Sequence, residues 1–165
     1  MPAASSVASL PARPSLPLTI LFGTETGTAQ MLAERAAEQA TSRGFVPRVV
    51  DMAEVDVIRL AAEENLLVVV STYGYGEPPG NAVELHAALA SRGSTPTPAS
   101  LPSTLKFSVC ALGDESYADF CQCGRDFDAY LAEWGATRIA PRADCTLDYE
   151  ETFDTWLARA LDALR

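Results

Sequence analysis

Basic residues are scarce in this chain of 165 residues: 12 Lys and Arg stand against 22 Asp and Glu, for a formal net charge of -10. That deficit excludes nucleic acid as a ligand, because phosphate backbones are held by clustered Lys and Arg. It excludes an anionic membrane surface on the same ground. The acidity suits a protein steered by its field onto a basic partner, and it equally serves solubility alone. Histidine is nearly missing, with His86 alone. It falls in a predicted helix, reads as a structural or surface residue, and forms no recognisable triad with Ser and Asp. The four cysteines, Cys110, Cys121, Cys123 and Cys145, form no C-x-x-C pair, and only His86 stands by to complete a zinc site. A structural metal is therefore not expected. The thiols read as reduced small residues of a cytoplasmic protein. No apolar run approaches the roughly 20 residues of a transmembrane helix. The first 17 residues lack the basic and apolar regions of a secretory signal.

What is present is enough for one core. Nearly half of the chain is hydrophobic, at 48%, which suits a single compact domain of this length. Residues 1–17, with Pro2, Pro11, Pro14 and Pro17 among Ala and Ser, read as a flexible tail or linker. Residues 18–165 read as the folded domain. There, apolar runs alternate with helical periodicity. Strands are expected at 18–22, 46–50, 66–71, 105–112 and 137–140. Helices are expected at 29–43, 55–62, 82–91, 125–134 and 149–164. The alternation implies an α/β fold: a doubly wound, five-stranded parallel sheet in the order 2-1-3-4-5 with helices on both faces. In that order ligands sit at the carboxyl ends of the strands, at the switch point.

Three polar loops that contain glycine leave those ends. The first is Gly23-Thr24-Glu25-Thr26-Gly27-Thr28, between a strand and a helix start. Unpaired N–H groups, a positive dipole end and three hydroxyls make an anion site there. No Lys follows the second glycine, so it is not a nucleoside-triphosphate loop. It suits one phosphate monoester held by neutral donors, or it is simply a well-capped helix start. The second loop runs from Ser71 to Asn81 and carries Tyr73 at a strand end. The third runs from Leu112 to Cys121 and carries Tyr117. Two aromatics on neighbouring loops can clamp a flat heterocycle.

The segments FGTETGTA, STYGYGEPPGNA and LGDESYADFC resemble the three FMN-binding segments of the flavodoxin-like domain of diflavin reductases, and the resemblance runs over about 18–164. GEPPGNAVELHAAL, SYADFCQCGRDFDAYLAEWGATRI and DYE are most similar to the alpha subunits of the NADPH–sulfite reductase flavoproteins. The resemblance implies FMN as cofactor. It places Thr24, Glu25, Thr26, Gly27 and Thr28 around the phosphate. It places Thr72, Tyr73, Gly74 and Gly76 along one edge of the isoalloxazine, and Leu112, Gly113, Tyr117, Phe120 and Cys121 along the other, with Tyr117 as the stacking ring. It implies electron transfer from an FAD/NADPH reductase module to a metalloprotein acceptor, the sulfite reductase haemoprotein, with no catalytic side chain. A stand-alone flavodoxin serving another acceptor, or an FMN-dependent NAD(P)H oxidoreductase, are the alternatives. Two positions depart from the family pattern. Tyr75 stands where many relatives carry an acidic or amide residue, and Asp144 and Asp148 are the nearest candidates for an acid that approaches the flavin from the final helix. A receiver-type signalling domain shares the strand order. It needs acids where this chain has Phe22-Gly23-Thr24 and Ser71-Thr72-Tyr73.

Overall fold

The computed structural model describes residues 16–73, 75–91 and 100–165. Most of the tail expected over 1–17 lies outside that set, but Leu16 and Pro17 already pair with Phe45 and Val46. The elements alternate. Strand β1 (Leu16–Gly23) leads to helix α1 (Thr28–Ser42), β2 (Phe45–Asp51) and the short α2 (Val57–Ala61). Then come β3 (Asn65–Ser71), α3 (Val83–Ala90), β4 (Lys106–Leu112) and α4 (Gln122–Glu133). The chain closes with β5 (Thr137–Arg138), β6 (Ala143–Cys145) and α5 (Glu150–Ala163). The strands run parallel in the order β2-β1-β3-β4-β5, with β6 also paired to β4.

The central strands are apolar on both sides because both faces are covered. Along β3, Leu67 and Val69 point into one layer while Leu66, Val68 and Val70 point into the other. The first layer packs against α1 and α5. Helix α1 buries Ala29, Leu32, Ala33, Ala36 and Ala40, the spacing of one apolar stripe. Helix α5 answers with Phe153, Trp156, Leu157 and Leu161. The second layer packs against α2, α3 and α4, through Leu60, Leu85, Leu89, Phe127 and Leu131. Each such Leu or Phe contributes about 1.5–3 kcal/mol by burial. Helix α4 lies very close to the sheet: a Cβ on Gly124 would sit 2.1 Å from the Cβ of Ala111. Helix α2 is shorter than expected because Asp56 caps it, accepting the Arg59 N–H at 2.8 Å.

The fifth strand departs from expectation. In place of one strand over 137–140 there are two pieces. Thr137 and Arg138 pair with the start of β4, and Ala143, Asp144 and Cys145 pair with its end. Pro141 lies in the gap and has no N–H to give to a ladder. The gap stays attached to the sheet. Ile139 donates to the Phe107 carbonyl at 2.9 Å, and Ser108 donates to the Ala140 carbonyl at 3.1 Å. Asp128 of α4, itself buried, takes Arg138 at 2.8 Å and Arg142 at 3.1 Å, while Arg142 also grips Asp144 at 2.7 Å. The break therefore holds a fixed shape, and β6 delivers residues 146–149 to the same end of the sheet as the three loops. Among the described residues no helix is long and apolar enough to cross a membrane.

Candidate functional site

A cavity of about 470 Å³ opens at the carboxyl ends of β1, β3, β4 and β6. That volume lies within the ordinary range for a small-molecule site. Four segments wall it. The first-loop wall is Thr26 and Thr28, and the second-loop wall is Ser71, Thr72 and Tyr75. The third-loop wall is Leu112, Gly113, Asp114, Tyr117, Asp119, Phe120 and Cys121. Thr146, Leu147 and Tyr149 form the fourth wall.

At the first wall the backbone offers donors. The N–H groups of Thr28, Ala29 and Gln30 open α1 with no carbonyl a turn behind them. Gly27 precedes them in the left-handed region at φ 97°, a conformation suited to glycine. Thr24 and Gly27 do not line the cavity, and neither does Glu25. The Gly27 N–H is taken by Thr24 Oγ1 at 2.8 Å, and the Thr24 N–H by Asn81 Oδ1 at 2.8 Å. The Glu25 carboxylate accepts the Gly80 N–H at 3.0 Å. These three residues shape the loop, and Thr26 and Thr28 present their side chains to the cavity.

The second wall turns on a tight hairpin. Tyr73 and Glu77 exchange backbone hydrogen bonds at 2.7 and 2.8 Å. That closure carries Tyr75, 87% exposed, to the tip and into the cavity lining, whereas Tyr73 does not line it. Gly76 also lies off the lining. A Cβ there would be 3.0 Å from the Asp119 side chain, so it lets the second loop approach the third. Gly74 lies outside the described residues. Thr72 lines the cavity and its hydroxyl accepts the Cys123 N–H at 3.1 Å, which ties this loop to the start of α4.

The third wall contains the only described non-glycine residue with positive φ, Cys121 at 57°. Its thiol packs beneath Gly113, where a Cβ would meet Cys121 N at 2.9 Å and Sγ at 3.3 Å. Burial, with Asp144 and Cys145 nearby, pushes this thiol up to about 12, so it stays protonated and is no nucleophile at neutral pH. Ser116 donates its hydroxyl at 2.7 Å and its N–H at 2.9 Å to Asp114, which holds that carboxyl below its usual range. Tyr117 is 59% exposed at the mouth.

Sequence reasoning missed the fourth wall. Thr146 Oγ1 accepts the Glu115 N–H at 3.3 Å and joins it to the third loop, while Leu147 is 73% exposed. His86 does not line the cavity; it bonds Asp126 at 2.8 Å and joins α3 to α4.

The donor set decides what fits. No Lys, Arg or His is among the described lining residues, so an anion here would be held by hydroxyls and helix N–H groups. The opposite side carries Tyr75, Leu112, Tyr117, Phe120 and Leu147, a surface for a flat apolar ring system. A phosphate-tailed flavin matches both ends.

Comparison with known proteins places this geometry. A family model described as flavodoxin matches residues 20–156. The NADPH sulfite reductase flavoprotein alpha-component of Bacillus subtilis is 45% identical over 99% of this chain and 26% of that protein. Its counterpart in Vibrio parahaemolyticus is 40% identical over the same shares. The chain thus spans about a quarter of the length of these relatives. Among solved structures, a Streptococcus pneumoniae flavodoxin superposes with a TM-score of 0.76 at 24% identity, over 90% of this chain and 97% of that one. A cysteine-to-serine variant of Pseudomonas aeruginosa flavodoxin superposes at 0.73 and 29% identity, over 90% and 99%.

Proposed function

The chain belongs to the flavodoxin family, and from that membership we propose that it is an FMN-carrying electron-transfer domain that takes electrons from an FAD- and NADPH-binding reductase module and passes them to the haemoprotein of sulfite reductase. One observation carries the reading. The cavity joins an end of threonines and helix N–H groups to an aromatic end at the switch point of the fold, in a chain 45% identical along 99% of its length to a sulfite reductase flavoprotein.

Bound FMN supplies the redox chemistry. The protein supplies binding, orientation and field. Thr26, Thr28 and the N–H groups at the start of α1 hold the phosphate. Tyr117 and Tyr75 cover the ring. Cys121 remains a thiol and leaves the redox step to the cofactor. The rings at the mouth stay partly exposed, which leaves an edge open for transfer to a docked partner. Asp114 and Asp119 line the cavity, Glu115 and Asp148 adjoin lining residues in the chain, Glu150 and Glu151 open α5, and none of the six forms an ion pair among the described residues. These unpaired acids support docking on a basic surface, screened over about 8–10 Å at physiological salt. The four buried free cysteines support a reducing, cytoplasmic setting.

Stopped-flow mixing of the FMN-loaded, reduced chain with sulfite reductase haemoprotein tests this. Haem reduction that slows as salt rises, chiefly through the on-rate, is expected. Rates indifferent to salt and to charge reversal at Asp114 and Glu115 reject electrostatic docking. Absence of transfer at any salt rejects the acceptor. Bleaching of the chain by NADPH without a reductase module would point instead to an NAD(P)H oxidoreductase.

A further inference from the structure

We propose that Asn81 is the positioning residue of the phosphate-binding loop, and that through this loop it makes the site prefer a phosphorylated flavin over an unphosphorylated one. The proposal rests on the FMN reading above. Asn81 is not among the residues lining the cavity. It sits half-buried in the 3-10 turn Gly80–Ala82, at the end of the second loop. Its side-chain amide is nonetheless committed on both sides. Nδ2 donates to the Phe22 carbonyl at 3.4 Å and to Asp51 Oδ1 at 3.1 Å. Oδ1 accepts the Thr24 N–H at 2.8 Å.

The orientation is dictated by chemistry. A carbonyl and a carboxylate can only accept, so the NH₂ of Asn81 must face them, and its oxygen is left facing Thr24. Asp51 is itself fixed, since the same oxygen caps the next turn by accepting the Ala53 N–H at 2.8 Å. Thr24, once held, accepts the Gly27 N–H through its hydroxyl, and Gly27 immediately precedes α1 as its N-cap. A relay thus runs from Asp51 through Asn81 and Thr24 to Gly27. The Gly80–Glu25 bond is a second clip between the same two segments. Thr26, between the clipped residues, and Thr28, the first residue of α1, are the two residues of this loop that line the cavity.

This matters because no Lys, Arg or His is among the described residues that line the site. A Lys or Arg would attract a phosphate over a range of distances and angles. Hydroxyls and N–H groups work only at hydrogen-bond geometry, so their alignment must exist before the ligand arrives. A residue that fixes the loop therefore acts on the phosphate end and not on the ring end.

The test compares two ligands that differ only in the phosphate. Apoprotein is titrated with FMN and with riboflavin, following quenching of flavin fluorescence, for the wild type and Asn81→Ala. The variant is expected to weaken FMN about tenfold while riboflavin changes by less than about twofold. A ratio of FMN to riboflavin affinity equal to that of the wild type overturns the proposal, whether both ligands weaken or neither does. Asp51→Ala covers the case in which Asn81→Ala does not fold. It leaves Asn81 in place and frees its amide to turn, and a fall in the ratio of about threefold is expected. An unchanged ratio in that variant overturns the proposal as well. Failure of the wild type to bind FMN would instead remove the FMN reading on which the proposal stands.

Discussion

Tyr117→Ala separates the binding role of the third loop from its structural one. The ring is 59% exposed and makes no side-chain hydrogen bond, so its removal takes little from the fold, within about 0.5 kcal/mol. The turn it sits in is held by backbone, with Tyr117 N–H donating to the Asp114 carbonyl at 3.1 Å. Alanine keeps that bond. Loss of a stacked ring costs about 1–3 kcal/mol, by analogy with base–aromatic stacking. The dissociation constant for FMN should then rise about 5- to 150-fold. Tyr75 is the natural comparison. At 87% exposure on a hairpin tip, it must be ordered when ligand binds, which costs about 0.5–1.5 kcal/mol. Tyr75→Ala should therefore lose less affinity than Tyr117→Ala. Fluorescence titration of both apoproteins measures the constants, and thermal melts of the apo forms check the fold. An affinity in Tyr117→Ala within about twofold of wild type, or a larger loss in Tyr75→Ala, refutes the assignment of the principal stacking ring.

FMN should bind more tightly than FAD, because a phosphate seated on the start of α1 leaves no room for an adenylate extension; calorimetry showing equal or tighter FAD binding rejects this. Gly124→Ala should lower the guanidinium midpoint by the equivalent of about 1–3 kcal/mol, since the new methyl would fall 2.1 Å from the Cβ of Ala111, and an unchanged midpoint rejects the close packing of α4 on β4. Cys121 gives a pH dependence of known sign. Its thiol is raised in the native state to about 12 from an ordinary value of 9.0. The native state therefore holds the proton more tightly, and the group's stabilisation is complete below pH 9 and lost as pH climbs toward 12. Urea midpoints between pH 8 and pH 11 should fall less steeply in Cys121→Ala than in wild type, and identical slopes reject the shift.

The sheet was legible because its signals are local. Runs such as Leu66 to Val70 are apolar at every position, and the helices repeat apolar residues at three and four, so the alternation followed from pattern, and the rule of right-handed crossovers narrowed the strand order. The fifth strand was not. Two residues in β5 and three in β6 are too few to show a period, and their pairing depends on β4, far away in sequence. Pro141 was the available signal, since proline interrupts a ladder. What it could not show is that the chain resumes pairing two residues later, because that depends on Asp128 gripping Arg138 and Arg142 from another element.

The site shows the same division one level down. Glycine and threonine between a strand and a helix start are the pattern of an anion loop, and the loop that carries them lies at the cavity. They do not say which residues face the ligand. A loop tight enough to aim Thr26 and Thr28 must itself be held, and it is held by its own members: Thr24 turns to Gly27, and Glu25 turns to Gly80. In the second loop, period-two alternation from β3 would put Tyr73 in the crevice. The two hydrogen bonds between Tyr73 and Glu77 reverse the chain first, so the ring delivered to the cavity is Tyr75. Thr146, Leu147 and Tyr149 carry no motif, because their place at the cavity follows from β6 and not from their own chemistry. A motif therefore marks a loop, while the hydrogen bonds inside and between loops decide which of its residues line the cavity.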